Sequence, residues 1–213
     1  ILGTDHKAIA RAENRKEFEE ILSKVGIPQP VGKTVMNIDD AIVVANEITY
    51  PVLIRPSYVI GGRGMQVVHS DIELKEYWIE ALKANKKQPV LIDKYIFGKE
   101  IEVDAVFDGA DTFIPGIMEH IEKTGIHSGD SILSYPTFSI SPEVKEKIID
   151  YTCKLGKALD IKGIFNIQFI VDEKDDVYVI EVNPRASRTV PFIAKSAGVD
   201  VAKIATKIAL GIS

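Results

Sequence analysis

The sequence predicts an α+β fold with largely antiparallel sheets, and three observations carry that expectation. Helical and strand patterns alternate only loosely along the 213 residues. Several strand patterns are joined by hairpin signals, clearest at Asp108-Gly109 and in the glycine-rich stretch YVIGGRGM. Each half of the chain also offers its own strands and helices, enough for two lobes. The length sits at the top of the single-domain range, so one large domain or two lobes sharing a cleft both fit. A hydrophobic content of 46% supports a real core, and a net charge of −5 gives no basic surface for nucleic acid. Cys153 stands alone, which excludes an internal disulfide or a cysteine-built zinc site and points to a reducing, cytoplasmic setting. No apolar run reaches membrane-spanning length, so no membrane partner is expected. The opening ILGTDHKAIA lacks the shape of a signal peptide. It reads as a strand end followed by a capped helix, as if the chain starts inside a larger protein.

The elements follow in order. Thr4 or Asp5 caps a helical region running to about residue 25, with Gly26 as its stop and Pro28 and Pro30 beyond. GKTVM is a short strand, and NIDDAIVVANEI a helix started by Asn37. PVLIRPS is a buried strand ended by Pro56, and MQVVH is its returning partner across the glycine turn. That arrangement is a hairpin, unlike the strand–loop–helix of a dinucleotide or P-loop site. DIELKEYWIEALKA is an amphipathic helix in which Tyr77 and Trp78 pack. PVLIDKYI is a strand. KEIEVDAVFDGADTFIPGIMEHI folds back on itself at Asp108-Gly109, and TGIHSGDSI is a polar loop. SPEVKEKIIDYTCKLGKAL is a helix with Ser141 as cap and Glu143 in its first turn. GIFNIQFIVD and DVYVIEVN are paired strands, and two helices near 190–197 and 201–210 finish the chain.

The paired strands carry the chemistry. Setting Asp172 opposite Val177 puts Val171 against Tyr178, Phe169 against Ile180 and Ile167 against Val182, one greasy face. The other face then holds Asn166, Gln168 and Ile170 opposite Val179, Glu181 and Asn183, with Gln168 directly across from Glu181. Gln168, Glu181 and Asn183 all offer hard oxygen ligands, and residues two apart on a strand point the same way. A magnesium ion takes few protein oxygens and shares its sphere with water and phosphate. Arg185 and Arg188, just past the strand, can clamp phosphate or carboxylate oxygens. Such a set suits phosphoryl transfer, which rests on positioning and charge neutralisation. The competing reading is a solvated sheet face with a chance acid and amide.

RPSYVIGGRGM adds Arg55 at a strand end and Gly61, Gly62 and Gly64 at a hairpin tip, where backbone N–H groups can approach phosphates. A plain flexible turn is the bland alternative. His127, Ser128 and Asp130 lie in the polar loop. Glu100 and Glu102 alternate on one strand face, as a solvent edge or as carboxylates for ribose hydroxyls. His6, His69 and His120 show no partner in the sequence. Arg15 reads as part of a solvated helix face.

Together RPSYVIGGRGM, VLIDKYI, MEHIEKTGIHSGDS, FNIQF and VIEVNPRASRTVPFIAK resemble the large subunit of carbamoyl-phosphate synthetase, over nearly the whole chain. The resemblance implies the ATP-grasp fold, two α+β lobes holding ATP between antiparallel sheets. RPSYVIGGRGM and HSGDS are similar to the second, carbamate-phosphorylating half of that subunit. On this basis residues 1–30 lead in from a preceding domain, 31–95 form the smaller lobe with the glycine hairpin, and 96–213 form the larger lobe with the metal face. Gln168, Glu181 and Asn183 match ligands of two Mg²⁺ or Mn²⁺ ions, with Glu181 shared between them. Arg55 matches a phosphate contact, Lys94 and Ile96 the adenine-side hinge, and Glu100 the ribose carboxylate. Gly125, Ile126, His127 and Ser128 match a segment lining the nucleotide, the hairpin with Gly61 and Gly62 matches a mobile lid, and Arg15 matches an arginine of the nucleotide site. Arg185 and Arg188 match the phosphate and substrate end. The spacing from Lys94 to Glu100 is one residue shorter than the commonest pattern. The implied reaction is ATP-dependent phosphorylation of carbamate. The implied partners are the rest of the large subunit and a glutamine amidotransferase small subunit, in arginine and pyrimidine biosynthesis. Alternatives are a bicarbonate-phosphorylating or other ATP-grasp carboxylate–amine ligase, or an excised nucleotide-binding fragment without turnover.

Overall fold

The structure, a computed structural model, describes residues 2–56, 65–84, 89–124 and 131–212. The chain divides into two compact units, one of residues 1–29, 98–123 and 132–213, the other of residues 30–97 and 124–131.

The first unit is built on a five-stranded antiparallel sheet in the order β7-β6-β5-β8-β9. Its strands are β5 (Gly98–Phe107), β6 (Thr112–Lys123), β7 (Leu133–Ser134), β8 (Gly163–Asp172) and β9 (Val177–Asn183). One face packs on α2 (Arg15–Val25) and α5 (Pro142–Ala158). Ile101, Val103, Phe165, Ile167, Phe169 and Val179 meet Phe18, Leu22, Ile148 and Leu155 there, in the larger core of the chain. Ser141 caps α5 as expected, its hydroxyl accepting from the Val144 N–H at 3.2 Å. On the opposite face, α6 (Val190–Ala197) and α7 (Val201–Ala209) cover only the end of the sheet near Val106 and Ile164. Beyond that end the face carries Glu100, Glu102, Asp104, Asn166 and Gln168, with the buried Met118 and Ile170 among them.

Two expectations change in this unit. The N-terminal helical region is two helices, α1 (His6–Glu13) and α2, because Asn14 leaves helical geometry between them. Its N–H still closes α1 on the Ala10 carbonyl, while its side-chain oxygen accepts from the Glu17 N–H at 3.2 Å and starts α2. The β8–β9 register is as read at one end only. Asn166 pairs with Asn183, Ile167 with Val182 and Gln168 with Glu181, but Phe169 pairs with Val179 and Val171 with Val177. A β-bulge at Ile180 absorbs the extra residue. Strict alternation would put Val177 and Val179 on the same side as Glu181. The bulge lets both valines and Val182 reach the core while Glu181 stays exposed.

The second unit has a four-stranded antiparallel sheet in the order β1-β4-β2-β3, from β1 (Gly32–Val35), β2 (Val52–Pro56), β3 (Gln66–Val68) and β4 (Val90–Lys94). Helices α3 (Ile38–Ile48) and α4 (Asp71–Ala84) close its core, where Val52, Ile54 and Ile92 meet Ala41, Val44, Leu74 and Trp78. Asn37 caps α3 through the Asp40 N–H at 2.8 Å. Strands β2 and β3 pair as the hairpin reading requires. No helix among the described residues is long and apolar enough to cross a membrane.

Candidate functional site

The polar face of the first unit's sheet is organised as rungs across three strands. Glu102, Gln168 and Glu181 form one rung, since β5 pairs Glu102 with Gln168 and β9 pairs Gln168 with Glu181. Asp104, Asn166 and Asn183 form the next. Directly paired residues share a face, so six oxygen-bearing side chains lie in two adjacent rows. Burial falls along both rows from β5 to β9. Glu102, Asp104 and Asn166 are buried, Gln168 and Asn183 are half-buried, and Glu181 is exposed.

The buried end is knitted together by hydrogen bonds around Glu102 and Asp104. Asn166 Nδ2 donates to Glu102 Oε1 at 2.9 Å and to Asp104 Oδ1 at 3.0 Å. The Thr189 hydroxyl donates toward Asp104 Oδ2 at 2.5 Å and lies 3.2 Å from Glu102 Oε1. His120 Nε2 is 3.3 Å from Glu102 Oε2. Burial opposes ionisation of Glu102, yet hydrogen bonds from His120, Asn166 and Thr189 hold its carboxyl below the usual range. At Asp104 burial wins, aided by the neighbouring Glu102 charge, and its carboxyl is pushed up despite bonds from Thr189, Ser187 and Asn166. The two carboxylates are thus driven apart in acidity by their surroundings.

At the exposed end, Asn183 Nδ2 donates to Glu181 Oε1 at 2.9 Å, and Arg185 Nη2 donates to Asn183 Oδ1 at 3.1 Å. Gln168, Glu181, Asn183 and Arg185 therefore stand together. Arg188 lies in the same unit, between β9 and the start of α6. Glu100 is on β5 next to this face, with its Oε2 3.6 Å from His120 Nδ1. Arg15 opens α2 and pairs with Glu19 Oε1 at 2.6 Å, one helical turn on.

The other nucleotide-matched residues are in the second unit. Arg55 Nε and Nη2 donate to Asp93 Oδ2 at 3.0 and 2.5 Å. Arg55 pairs in register with Leu91, so Asp93 is its diagonal neighbour on the face away from the helices. Lys94 ends β4, its ammonium donating to the Thr49 carbonyl at 3.0 Å and the Tyr50 carbonyl at 3.4 Å. Ile96 follows, half-buried. Gly61, Gly62, Gly125, Ile126, His127 and Ser128 lie outside the described residues.

A model of the family described as carbamoyl-phosphate synthase L chain, ATP binding domain, matches residues 14–213. The chain belongs to that family. Several solved structures share its fold. The complex of biotin carboxylase from Campylobacter jejuni with β-γ-ATP superposes at a TM-score of 0.87 and 23% identity, over 99% of this chain and 49% of that one. The biotin carboxylase domain of 2-oxoglutarate carboxylase from Hydrogenobacter thermophilus, in complex with MgADP, ADP and bicarbonate, gives 0.83 and 28% identity over 98% and 48%. N5-carboxyaminoimidazole synthase from Aspergillus clavatus, with ADP and its aminoimidazole ribonucleotide, gives 0.84 and 20% identity over 99% and 54%. The family member described here thus spans about half the length of these chains. Its fold is ATP-grasp.

Sequence reasoning left four residues of this face without a role, namely Asp104, His120, Asn166 and Thr189, and Glu102 is buried rather than on a solvent edge. The signal for two of the four was present. Asp104 and Asn166 continue the same alternation that marks Glu100, Glu102 and Gln168. His120 and Thr189 reach the face from β6 and from the N-terminus of α6, and no spacing rule connects them to it. His69 and His6 also have acidic neighbours, Glu73 at 3.3 Å and Asp5 at 3.4 Å.

Proposed function

We propose that this chain is the nucleotide-holding core of an ATP-dependent ligase that phosphorylates carbamate to carbamoyl phosphate. The observation carrying the chemistry is the rung that sets Gln168 across from Glu181, with Asn183 bonded to Glu181 beside it. Family membership and the motifs quoted above support carbamate as the acceptor.

The donor set fits a hard divalent cation, since Gln168, Glu181 and Asn183 bring oxygen atoms with a single exposed carboxylate, leaving room for water and phosphate. These three side chains would hold two Mg²⁺ or Mn²⁺ ions, Glu181 between them. When bound, such ions neutralise phosphoryl oxygens. Arg185 and Arg188 stabilise the negative charge of the transferring phosphoryl group, and Arg55 binds the phosphate chain. Lys94 and Ile96 form the adenine-side hinge, and Glu100 accepts from the ribose hydroxyls. Arg15, Gly61, Gly62, Gly125, Ile126, His127 and Ser128 complete the nucleotide contacts. A carbamate oxygen attacks the γ-phosphorus, and the bond to the bridging oxygen breaks with its electron pair leaving on ADP. Carbamate is already an anion, so no base has to remove a proton. The rest of the large subunit and a glutamine amidotransferase subunit are the proposed partners, in the cytoplasm, for arginine and pyrimidine biosynthesis.

The test is ADP release by the purified chain with MgATP and ammonium carbamate, with carbamoyl phosphate trapped as product. Carbamate-dependent release with trapped product is expected. A second reading, bicarbonate phosphorylation or another carboxylate–amine ligation, is favoured by the likeness at 28% identity to a domain solved with MgADP and bicarbonate. Bicarbonate-dependent release without carbamoyl phosphate would replace the first reading with the second. Calorimetric binding of MgATP without any turnover would leave a nucleotide-binding fragment.

A further inference from the structure

His120 is 5% exposed and lies between two carboxylates of the neighbouring strand. A register shift between Asp104 and Val106 in the β5–β6 ladder puts it there. Past that shift Glu102 pairs with Met118 and Ile101 with Glu119, so His120 comes opposite Glu100; the ladder shifts again only beyond it, where Lys99 pairs with Lys123. Glu119 shares the core side with Ile101, where its carboxylate accepts from the Phe138 and Ser139 N–H groups at 3.0 and 3.1 Å. His120 turns to the other side, toward Glu100 and Glu102.

The two ring nitrogens differ. Nε2 is 3.3 Å from Glu102 Oε2, whose residue is 2% exposed and is itself fixed by Asn166 and Thr189. Nδ1 is buried with no hydrogen-bond partner among the described residues, 3.6 Å from Glu100 Oε2. A buried imidazole with one nitrogen anchored and the other aimed just beyond bonding distance of a carboxylate is poised to fix that carboxylate. Glu102, held below the usual range, acts as acceptor, so Nε2 carries a hydrogen. Donation from Nδ1 to the Glu100 carboxylate is made by the ring with hydrogens on both nitrogens.

We propose that His120 is a positioning residue that, braced by Glu102 at Nε2, holds the Glu100 carboxylate through Nδ1 in the orientation that accepts the ribose hydroxyls of the nucleotide. The inference rests on the reading of Glu100 as the ribose carboxylate given above. Its chemistry separates it from a packing role, because only hydroxyl recognition should change.

The experiment is calorimetric titration of the whole chain with ATP and with 2′-deoxy- and 3′-deoxy-ATP, magnesium present throughout. The wild type should favour ATP over the weaker deoxy analogue by about tenfold, as a charge-assisted hydrogen bond would give. Glu100→Gln and His120→Leu should each bring that ratio below about threefold and leave the deoxy analogue's affinity unchanged. His120→Asn, whose amide reaches the Nδ1 position, should restore the ratio. If His120→Leu does not fold, His120→Gln, which keeps a group near Nε2 only, takes its place with the same expected loss. A full ratio in the His120 variants beside a lost ratio in Glu100→Gln overturns the role of His120 and leaves that of Glu100 standing. Equal weakening of all three nucleotides also overturns it, as plain structural damage. No discrimination by the wild type, or an unchanged ratio in Glu100→Gln, overturns the reading of Glu100 and takes the inference with it.

Discussion

Replacing Thr189 by valine should expose the energetics of the buried rows. Thr189 is 4% exposed and precedes α6 without capping it through its side chain. Its single hydroxyl hydrogen serves Asp104 at 2.5 Å, with Glu102 at 3.2 Å and the Ser187 hydroxyl at 2.6 Å close by. Valine has the same shape, so no cavity opens, and the cost is one hydrogen bond to a charged group. Such bonds contribute roughly 1.5–3 kcal/mol. Both carboxylates keep the Asn166 amide, which sets the expected loss near 2 kcal/mol. At a urea slope of roughly 2 kcal/mol per M, the midpoint should fall by about 1 M at pH 7. The pH dependence has a definite sign. Asp104 has a folded pKa raised above 3.8, and loss of its donor raises it further, so the variant binds more protons than the wild type in that window. The deficit must therefore shrink as pH falls through the folded pKa of Asp104. Circular dichroism melts in urea at several pH values read this directly. A midpoint shift below about 0.2 M at pH 7, or a deficit that grows on acidification, would refute the reasoning.

Three further outcomes are expected. Glu181→Gln should lower ATP turnover at least about 100-fold while leaving the thermal midpoint within about 2 °C, because the side chain is exposed and removing charge stabilisation acts on the reaction rather than the core; turnover retained in a metal titration would remove Glu181 from the proposed site. Asn14→Ala should cost about 1 kcal/mol in urea unfolding, since one side chain starts α2 at the junction with α1; an unchanged midpoint would mean that packing alone sets the break. Gly98→Ala should cost about 1–3 kcal/mol, because its new Cβ would stand 2.3 Å from the Val171 carbonyl oxygen, which belongs to the backbone of β8 and cannot swing away; a neutral substitution would show that the start of β5 yields freely.

Much of this architecture was legible because local chemistry and tertiary need agreed. Asn37 and Ser141 were readable as caps, since a side-chain acceptor before an amphipathic run has few other uses. The pairing of Gln168 with Glu181 was readable from the greasy face of β8. The break at Asn14 had a sequence signal, an Asn three residues before Glu17, but the helical periodicity around it is continuous enough to hide it. His120 was not legible at all. Its partners are 18 and 20 residues away, and its direction depends on a register shift that no composition records.

The bulge at Ile180 shows why the candidate site reads only halfway from sequence. In VYVIEVN the two faces compete for one strand: Val177, Val179 and Val182 all gain by burial, yet 179 and 182 are an odd number of residues apart. A regular strand must expose one of them or bury Glu181. An ionised carboxylate in an apolar core costs several kcal/mol, far more than the ladder hydrogen bonds disturbed by one extra residue. The chain therefore bulges, and the extra residue falls immediately before Glu181. Burial of the valines on one side thus fixes the carboxylate on the other, beside Gln168 and Asn183. Moving the bulge one residue on would set Ile180 across from Gln168 in place of Glu181, and moving it one residue back would take Val179 out of its pairing with Phe169, so the hydrophobic packing of β9 and the placement of the proposed ligand are coupled.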